Sequence, residues 1–216
     1  MNLGEGIATF RLEEDDNSVP YQWSSVNLTK WFNEAENEAA FRAGLILDSG
    51  MADADLPSGE SSMSIHSAIY QIDALRLIDS GGAVSYPYPS DRIEQDRINR
   101  DWRATTGKPT AFIHDDKHVT FNRIADMKYT VQIDAYRMPL VPMSDDSDEP
   151  EIALIHHARL VDWVRYKAYS VPDTDFMNMG KAESSLAIFE AYFGRRPQAD
   201  AARSTRANRP HRIKAW

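Results

Sequence analysis

The sequence predicts an α+β fold: a small bundle of two N-terminal and two C-terminal helices, an antiparallel β module inserted between them, and an extended C-terminal arm. Three observations predict it. Apolar residues recur at helical spacing near both ends of the chain. Residues 129–137 alternate apolar and polar side chains, as a half-buried strand must. From Arg195 onward the charge reverses sign and the apolar periodicity stops. Helices at the two ends must pair to cover their apolar stripes, which makes the β segment an excursion from one bundle. The expected segments are 1–48 and 144–194 for the bundle, 49–143 for the β module and 195–216 for the arm.

Leu3, Ile7, Phe10 and Leu12 fall on one side of a helix over 1–13, which the acidic run Glu13, Glu14, Asp15 and Asp16 brings to an end. A second helix starts at Ser24, whose hydroxyl suits an N-cap, with Trp23 and Leu28 placed as a hydrophobic staple. Leu28, Trp31, Phe32, Ala35, Ala39 and Ile46 keep its spacing. After Asp48 a stretch of Ser, Gly, Asp and Pro reads as a loop. Residues 68–78 read as a strand ahead of the turn Asp79-Ser80-Gly81-Gly82, and Ser90 is placed to cap a short helix running toward Trp102. Residues 110–113 and 118–121 flank Asp115-Asp116 as a hairpin, and Tyr129, Val131, Ile133 and Ala135 line one face of the clearest strand. Pro139 and Pro142 close the β region.

Pro150 suits the first position of a helix running to Tyr169, where its missing N–H costs nothing and the acidic residues before it suit the helix dipole. Ile152, Ile155, Leu160, Val161 and Val164 would be its apolar side. Pro172 breaks it and Asp173 caps a last helix. There Met179, Ala182, Leu186, Phe189 and Phe193 form a seam, and Gly194 and Pro197 end it.

Composition narrows the function. With 42% hydrophobic and 26% charged residues over 216 positions, the chain is globular and too short for two independent enzymatic domains. The absence of cysteine excludes disulfides, thiolate metal sites and a cysteine nucleophile. The N-terminal stretch lacks a basic and then apolar leader, and no run approaches the roughly 18 apolar residues of a membrane helix. Export by a standard signal and a membrane partner are therefore not expected.

The net charge of −9 is unevenly shared. From Arg195 to the end, Arg195, Arg196, Arg203, Arg206, Arg209, Arg212 and Lys214 face one acid, Asp200, while the preceding 194 residues carry 17 basic and 32 acidic groups. An acidic body with a basic arm suggests that the arm grips something acidic, and Ile213 and Trp216 add apolar anchors that a purely solubilising tail would not need.

Motifs for chemistry are weak. His114, Asp115, Asp116 and His118 are metal-ligand types, but Asp-Asp between two short apolar runs is also what a hairpin turn requires, and no second such cluster supports them. His156 and His157 would point apart on a helix. Asp145 to Glu149 lacks the glycine and spacing of a calcium loop. Gly4-Glu5-Gly6 and Ser80-Gly81-Gly82 precede no Gly-Lys-Ser/Thr, and no Gly-x-Ser-x-Gly elbow occurs. The expectation is a non-enzyme with no cofactor and no metal. Trp31, Phe32, Phe189 and Phe193 read as core. Trp102 and Arg103 are candidates for an interface anchor, as Trp and Arg are favoured there, with a loop packed on a sheet as the alternative.

Three segments together resemble the phage head-to-tail adaptor family, including the tail tubular gatekeeper proteins of short-tailed phages. The first is Pro20-Tyr21-Gln22-Trp23-Ser24 leading to Leu28, Trp31, Asn33, Glu34 and Ala35. The second runs from Asp101-Trp102-Arg103 through Thr106-Gly107-Lys108-Pro109 to Tyr136-Arg137-Met138-Pro139. The third is the acidic loop, Tyr166-Lys167-Ala168-Tyr169 and the helix ending near Phe193. The resemblance implies a ring of about twelve subunits on the portal's symmetry. It also implies the portal protein on one side, a tail or neck protein on the other, and a lumen through which DNA passes without specific binding. The expected place is the virion neck, with host cytoplasm during assembly. The candidate contacts of the arm with the portal or a neighbour are Arg203, Arg206, Arg209, Arg212, Ile213, Lys214 and Trp216. The rival readings are a nucleic-acid-binding module acting through those cations and a hydrolase built on His114 to His118.

Overall fold

The computed structural model describes residues 1–51, 53–172 and 177–197, and the chain divides into two compact units. Met1–Ile46 with Met138–Arg196 form a helical unit, and Leu47–Arg137 make up the body of a β unit. The fold is α+β, with helices at both ends of the sequence and a β module between.

In the helical unit, α1 (Leu3–Glu13) begins in a capping box in which Asn2 accepts from the Glu5 N–H and Glu5 accepts from the Asn2 N–H. Leu3, Ile7 and Phe10 turn inward as their spacing requires, whereas Leu12 is exposed. Helix α2 (Ser25–Ala43) is capped by the Ser24 side chain at the Asn27 N–H and stopped by Gly44, whose φ of 61° suits glycine. Ile46 thus lies past the helix end but still in the core. Between them, the buried Arg11–Asp16 pair at 2.5 Å organises the connection: Asp16 also accepts from the Gln22 N–H, and Arg11 donates to the Trp23 carbonyl. A buried charge pair is tolerated when such hydrogen bonds satisfy both members.

Helix α4, here counted after the short helix of the β unit, spans Leu160–Ser170, and α5 spans Met179–Phe193. Each packs on the N-terminal helices, and Leu28, Phe32, Leu160, Val164, Ala182 and Phe189 are among the residues of one core. Phe10, Trp23 and Tyr169 meet edge to face at 5.3 and 5.6 Å, and Phe189 contacts Trp163 and Phe193.

Two expectations fail here. The helix predicted from Pro150 does not begin there: residues 150–153 are extended or bent, a 3-10 turn covers Leu154–Arg159, and Ile155 is exposed. The reason is tertiary. Glu36 takes the Glu151 and Ile152 N–H groups, and His157 holds the Ile152 carbonyl at 2.8 Å, so this backbone is engaged outside a helix. Helix α5 starts later than predicted, with Asn178 capping the Lys181 N–H, and Met179 is exposed rather than part of the seam. The proposed cap Asp173 lies outside the described residues.

The β unit holds two sheets. In the first, β9 (Tyr129–Arg137) is central: β1 (Leu47–Ser49) and β2 (Ala54–Leu56) pair along one edge and β4 (Ile69–Asp79) along the other, with β5 (Val84–Ser85) beyond β4. In the second the order is β3 (Ser62–Ser64), β8 (His118–Phe121), β7 (Ala111–His114) and β6 (Tyr88–Pro89), the last pair parallel. Tyr129, Val131, Ile133 and Ala135 face inward as the alternation predicts, and share one core with Leu75, Leu77, Phe112, Val119 and Phe121. The stretch after Asp48, predicted as loop, instead contains the three-residue strands β1 to β3. They are too short to show periodicity and form because β8 and β9 offer edges. Helix α3 (Arg92–Ile98) is capped by Asp91 rather than Ser90, whose hydroxyl donates to Glu94 and accepts from the buried Gln95 amide.

Candidate functional site

The acidic loop of the helical unit is built more firmly than its composition suggests. Asn33 on α2 pairs with Met143 in both directions: its amide nitrogen donates to the carbonyl at 2.9 Å, and its oxygen accepts from the N–H at 2.7 Å. One turn on, Glu36 accepts the Glu151 N–H at 2.5 Å, and burial pushes its carboxyl above the usual range. The carbonyls of Asp148 and Asp146 take the Leu3 and Gly4 N–H groups at 2.8 and 2.9 Å, supplying acceptors for first-turn donors of α1. A Cβ on Gly4 would lie 2.9 Å from that of Asp146, so the close approach requires glycine. Asp148 accepts from the Ser144 and Asp145 N–H groups, which hold its carboxyl below the usual range. Held this way, the loop still presents Val141, 78% exposed, together with Asp145, Asp146 and Glu149 to solvent.

In the β unit, Trp102 is buried and its indole N–H donates to Asp96 on α3 at 2.8 Å. Arg103 donates to the same carboxylate at 2.7 Å and stacks on the indole, 4.2 Å from the ring centre; both bonds hold Asp96 below the usual range. Trp102 therefore fastens α3 within its own unit, and of the predicted pair it is Arg103 that remains exposed.

The other sequence-level candidates separate. Asp115 and His118 shape the predicted hairpin turn, the Asp115 N–H donating to the His118 carbonyl, while the Asp115 carboxylate pairs with Arg92 at 2.5 Å. Among the described residues no group of three or more His, Cys, Asp or Glu is placed to hold a metal ion. His157 is buried between the Met1 and Ile152 carbonyls, and His156 packs on Tyr192 and Phe193. The two residues indeed face different surroundings.

At the end of the bundle where α1 stops, Arg165 reaches Glu13, Glu14 and Asp162, while Glu14 accepts from the Tyr169 hydroxyl. At the opposite end, Arg42 donates to Glu38, Glu190 and the Gly194 carbonyl, and Arg196 approaches Glu38 at 3.5 Å. Arg196, the last residue of the helical unit, is thus anchored at this end. Arg203, Arg206, Arg209, Arg212, Ile213, Lys214 and Trp216 lie outside the described residues.

Sequence reasoning missed Asn33 and Glu36 as loop holders, although Glu36 among the apolar positions Phe32, Ala35, Ala39 and Ala40 of α2 was a usable signal. It also missed the outward isoleucines of α3, which nothing in a seven-residue helix distinguishes from core.

The arrangement is that of an α+β protein whose exposed features are charged and apolar surfaces. The family model described as SU10 adaptor protein matches residues 1–213, and the chain belongs to that family of phage head-to-tail adaptors. Membership makes it a virion component of the neck, with portal and tail partners in general. A comparison with curated proteins finds no match. Among the described residues no helix is long and apolar enough to cross a membrane.

Proposed function

We propose that the chain acts as a non-enzymatic ring of about twelve copies that docks on the portal, receives a tail or neck protein on its far side, and leaves a lumen for DNA. The observation that carries this reading is the division of charge: the helical unit, Met1–Ile46 with Met138–Arg196, contains nine basic and eighteen acidic residues, whereas 197–216 contains five basic and one acidic. An acidic wall repels phosphates and lets DNA slide, while basic walls would hold it. The arm supplies the grip. Arg203, Arg206, Arg209, Arg212 and Lys214 pair with portal or neighbour carboxylates while Ile213 and Trp216 fill apolar pockets. Trp102 and Arg103 contribute to the contact between neighbours in the ring, Trp102 by fixing the segment and Arg103 by reaching outward.

Deleting residues 203–216 tests this. The expected result is a folded subunit that no longer attaches to portal, with particles that fail to retain DNA. Complete, DNA-retaining particles from the truncated chain would overturn it. A full-length chain that bound duplex DNA tightly, with affinity falling steeply with salt, and did not bind portal would instead favour the nucleic-acid-binding reading.

A further inference from the structure

Helix α3 is built inside out. Its one buried residue is Gln95, whereas Ile93 and Ile98 are 67% and 64% exposed. A helix normally turns its apolar side chains to the core. Around these isoleucines stand Arg97 and Arg100, both exposed and neither paired with an acid among the described residues, while nearby Arg92 and Arg103 are both matched, to Asp115 and Asp96. The helix is also fixed in place: Asp91 caps it, Gln95 is tied to Ser90, and Trp102 holds Asp96. A fixed helix that exposes isoleucines beside unmatched cations calls for an apolar segment flanked by carboxylates.

The chain carries such a segment. Loop 140–149 exposes Val141 and Leu140 beside Asp145, Asp146 and Glu149, and these three acids have no cationic partner among the described residues. It is likewise held firmly, by Asn33, by the start of α1 and by the Asp148 carboxylate within it, so little ordering cost attends its docking. We propose that the exposed surface of α3 and the turn after it in one copy, where Ile93 and Arg97 stand one helical turn apart and Ile98 and Arg100 follow, receives loop 140–149 of the next copy, Val141 seating against Ile93 and Asp145 and Glu149 meeting the arginines. Two different patches of the same chain then contact each other, a heterologous interface that repeats around a closed ring. This assignment rests on the chain forming a ring.

The chain has no cysteine, so an engineered pair reports the contact directly. Full-length protein carrying Ile93→Cys with Val141→Cys, both on exposed side chains, is assembled on purified portal and oxidised. The expected result is a ladder of covalent multimers on non-reducing gels, absent from either single variant. In parallel, Arg97→Glu with Arg100→Glu is expected to lower ring occupancy on the portal at least about tenfold, and adding Asp145→Lys with Glu149→Lys to restore it, with circular dichroism verifying the fold of each variant. Wild-type rings of the expected mass, with no ladder from the double cysteine variant and no effect of charge reversal, would overturn the interface and leave the ring standing. A wild-type chain that formed no ring on portal would remove the ring reading, by mass alone, and this assignment with it.

Discussion

Replacing Glu36 separates the roles of its shape and its charge. The side chain is 2% exposed, accepts the Glu151 N–H at 2.5 Å and also hydrogen-bonds the Ile152 backbone. Glu36→Ala removes the acceptor and leaves buried backbone donors without a partner, a loss of about 1–3 kcal/mol. For a chain of this size that corresponds to a fall of very roughly 2–12 °C in Tm. Glu36→Gln keeps an oxygen in place and removes the charge. Burial raises the Glu36 carboxyl above its reference value of 4.5, so the folded state favours the protonated form. The stabilisation from this group is complete below the unfolded value and is lost as pH rises through the folded one. Relative to wild type, Glu36→Gln should therefore be about equally stable near pH 4.5 and gain as pH rises to 7, while Glu36→Ala is weaker throughout. Thermal unfolding followed by tryptophan fluorescence at several pH values measures this, and amide exchange at Glu151 and Ile152 localises it. If Glu36→Gln lost as much as Glu36→Ala at pH 7, the charge itself would be required and the reasoning would fail.

Phe189, fully buried between Trp163 and Phe193, should cost about 3–5 kcal/mol on replacement by alanine; a loss below about 1 kcal/mol in chemical denaturation would mean that α5 is not integral to the core. Asp48 accepts from Arg137 at 2.8 Å, and that bond holds its carboxyl below the reference 3.8. Its contribution is therefore present above that value and lost as pH falls through the lower folded one. Asp48→Asn should lower the stability of the β unit at neutral pH and flatten this acid limb in a pH series of melts; an unchanged limb would contradict it.

Much of this fold was legible because its elements obey one period each. Tyr129 to Ala135 alternates apolar and polar residues, with burial keeping the same period through Arg137, and Leu28, Phe32, Ala35 and Ala39 keep to one helix face. Where local signals misled, a distant partner had taken the backbone. Pro150 and the acids before it read as a helix start, but Glu36 and His157 engage that stretch from elsewhere in the chain. The strands β1 to β3 carry too few residues for any period, so only their partners define them. Among the site residues, Trp102 and Arg103 stood out by type, yet their division into an internal fastener and an exposed cation depends on Asp96, whose position in space the sequence does not display. The outward turn of Ile93 and Ile98 was hidden for the same reason: composition records that they are apolar, not which way a short helix faces.

The central claim is that the chain forms a ring on the portal, and native mass spectrometry of the purified chain mixed with purified portal tests it most directly. The account predicts a complex in which one portal ring carries about twelve copies of the full-length chain, and none of the chain truncated before residue 203. A portal that recovers its own mass unchanged after mixing with excess full-length chain would contradict it.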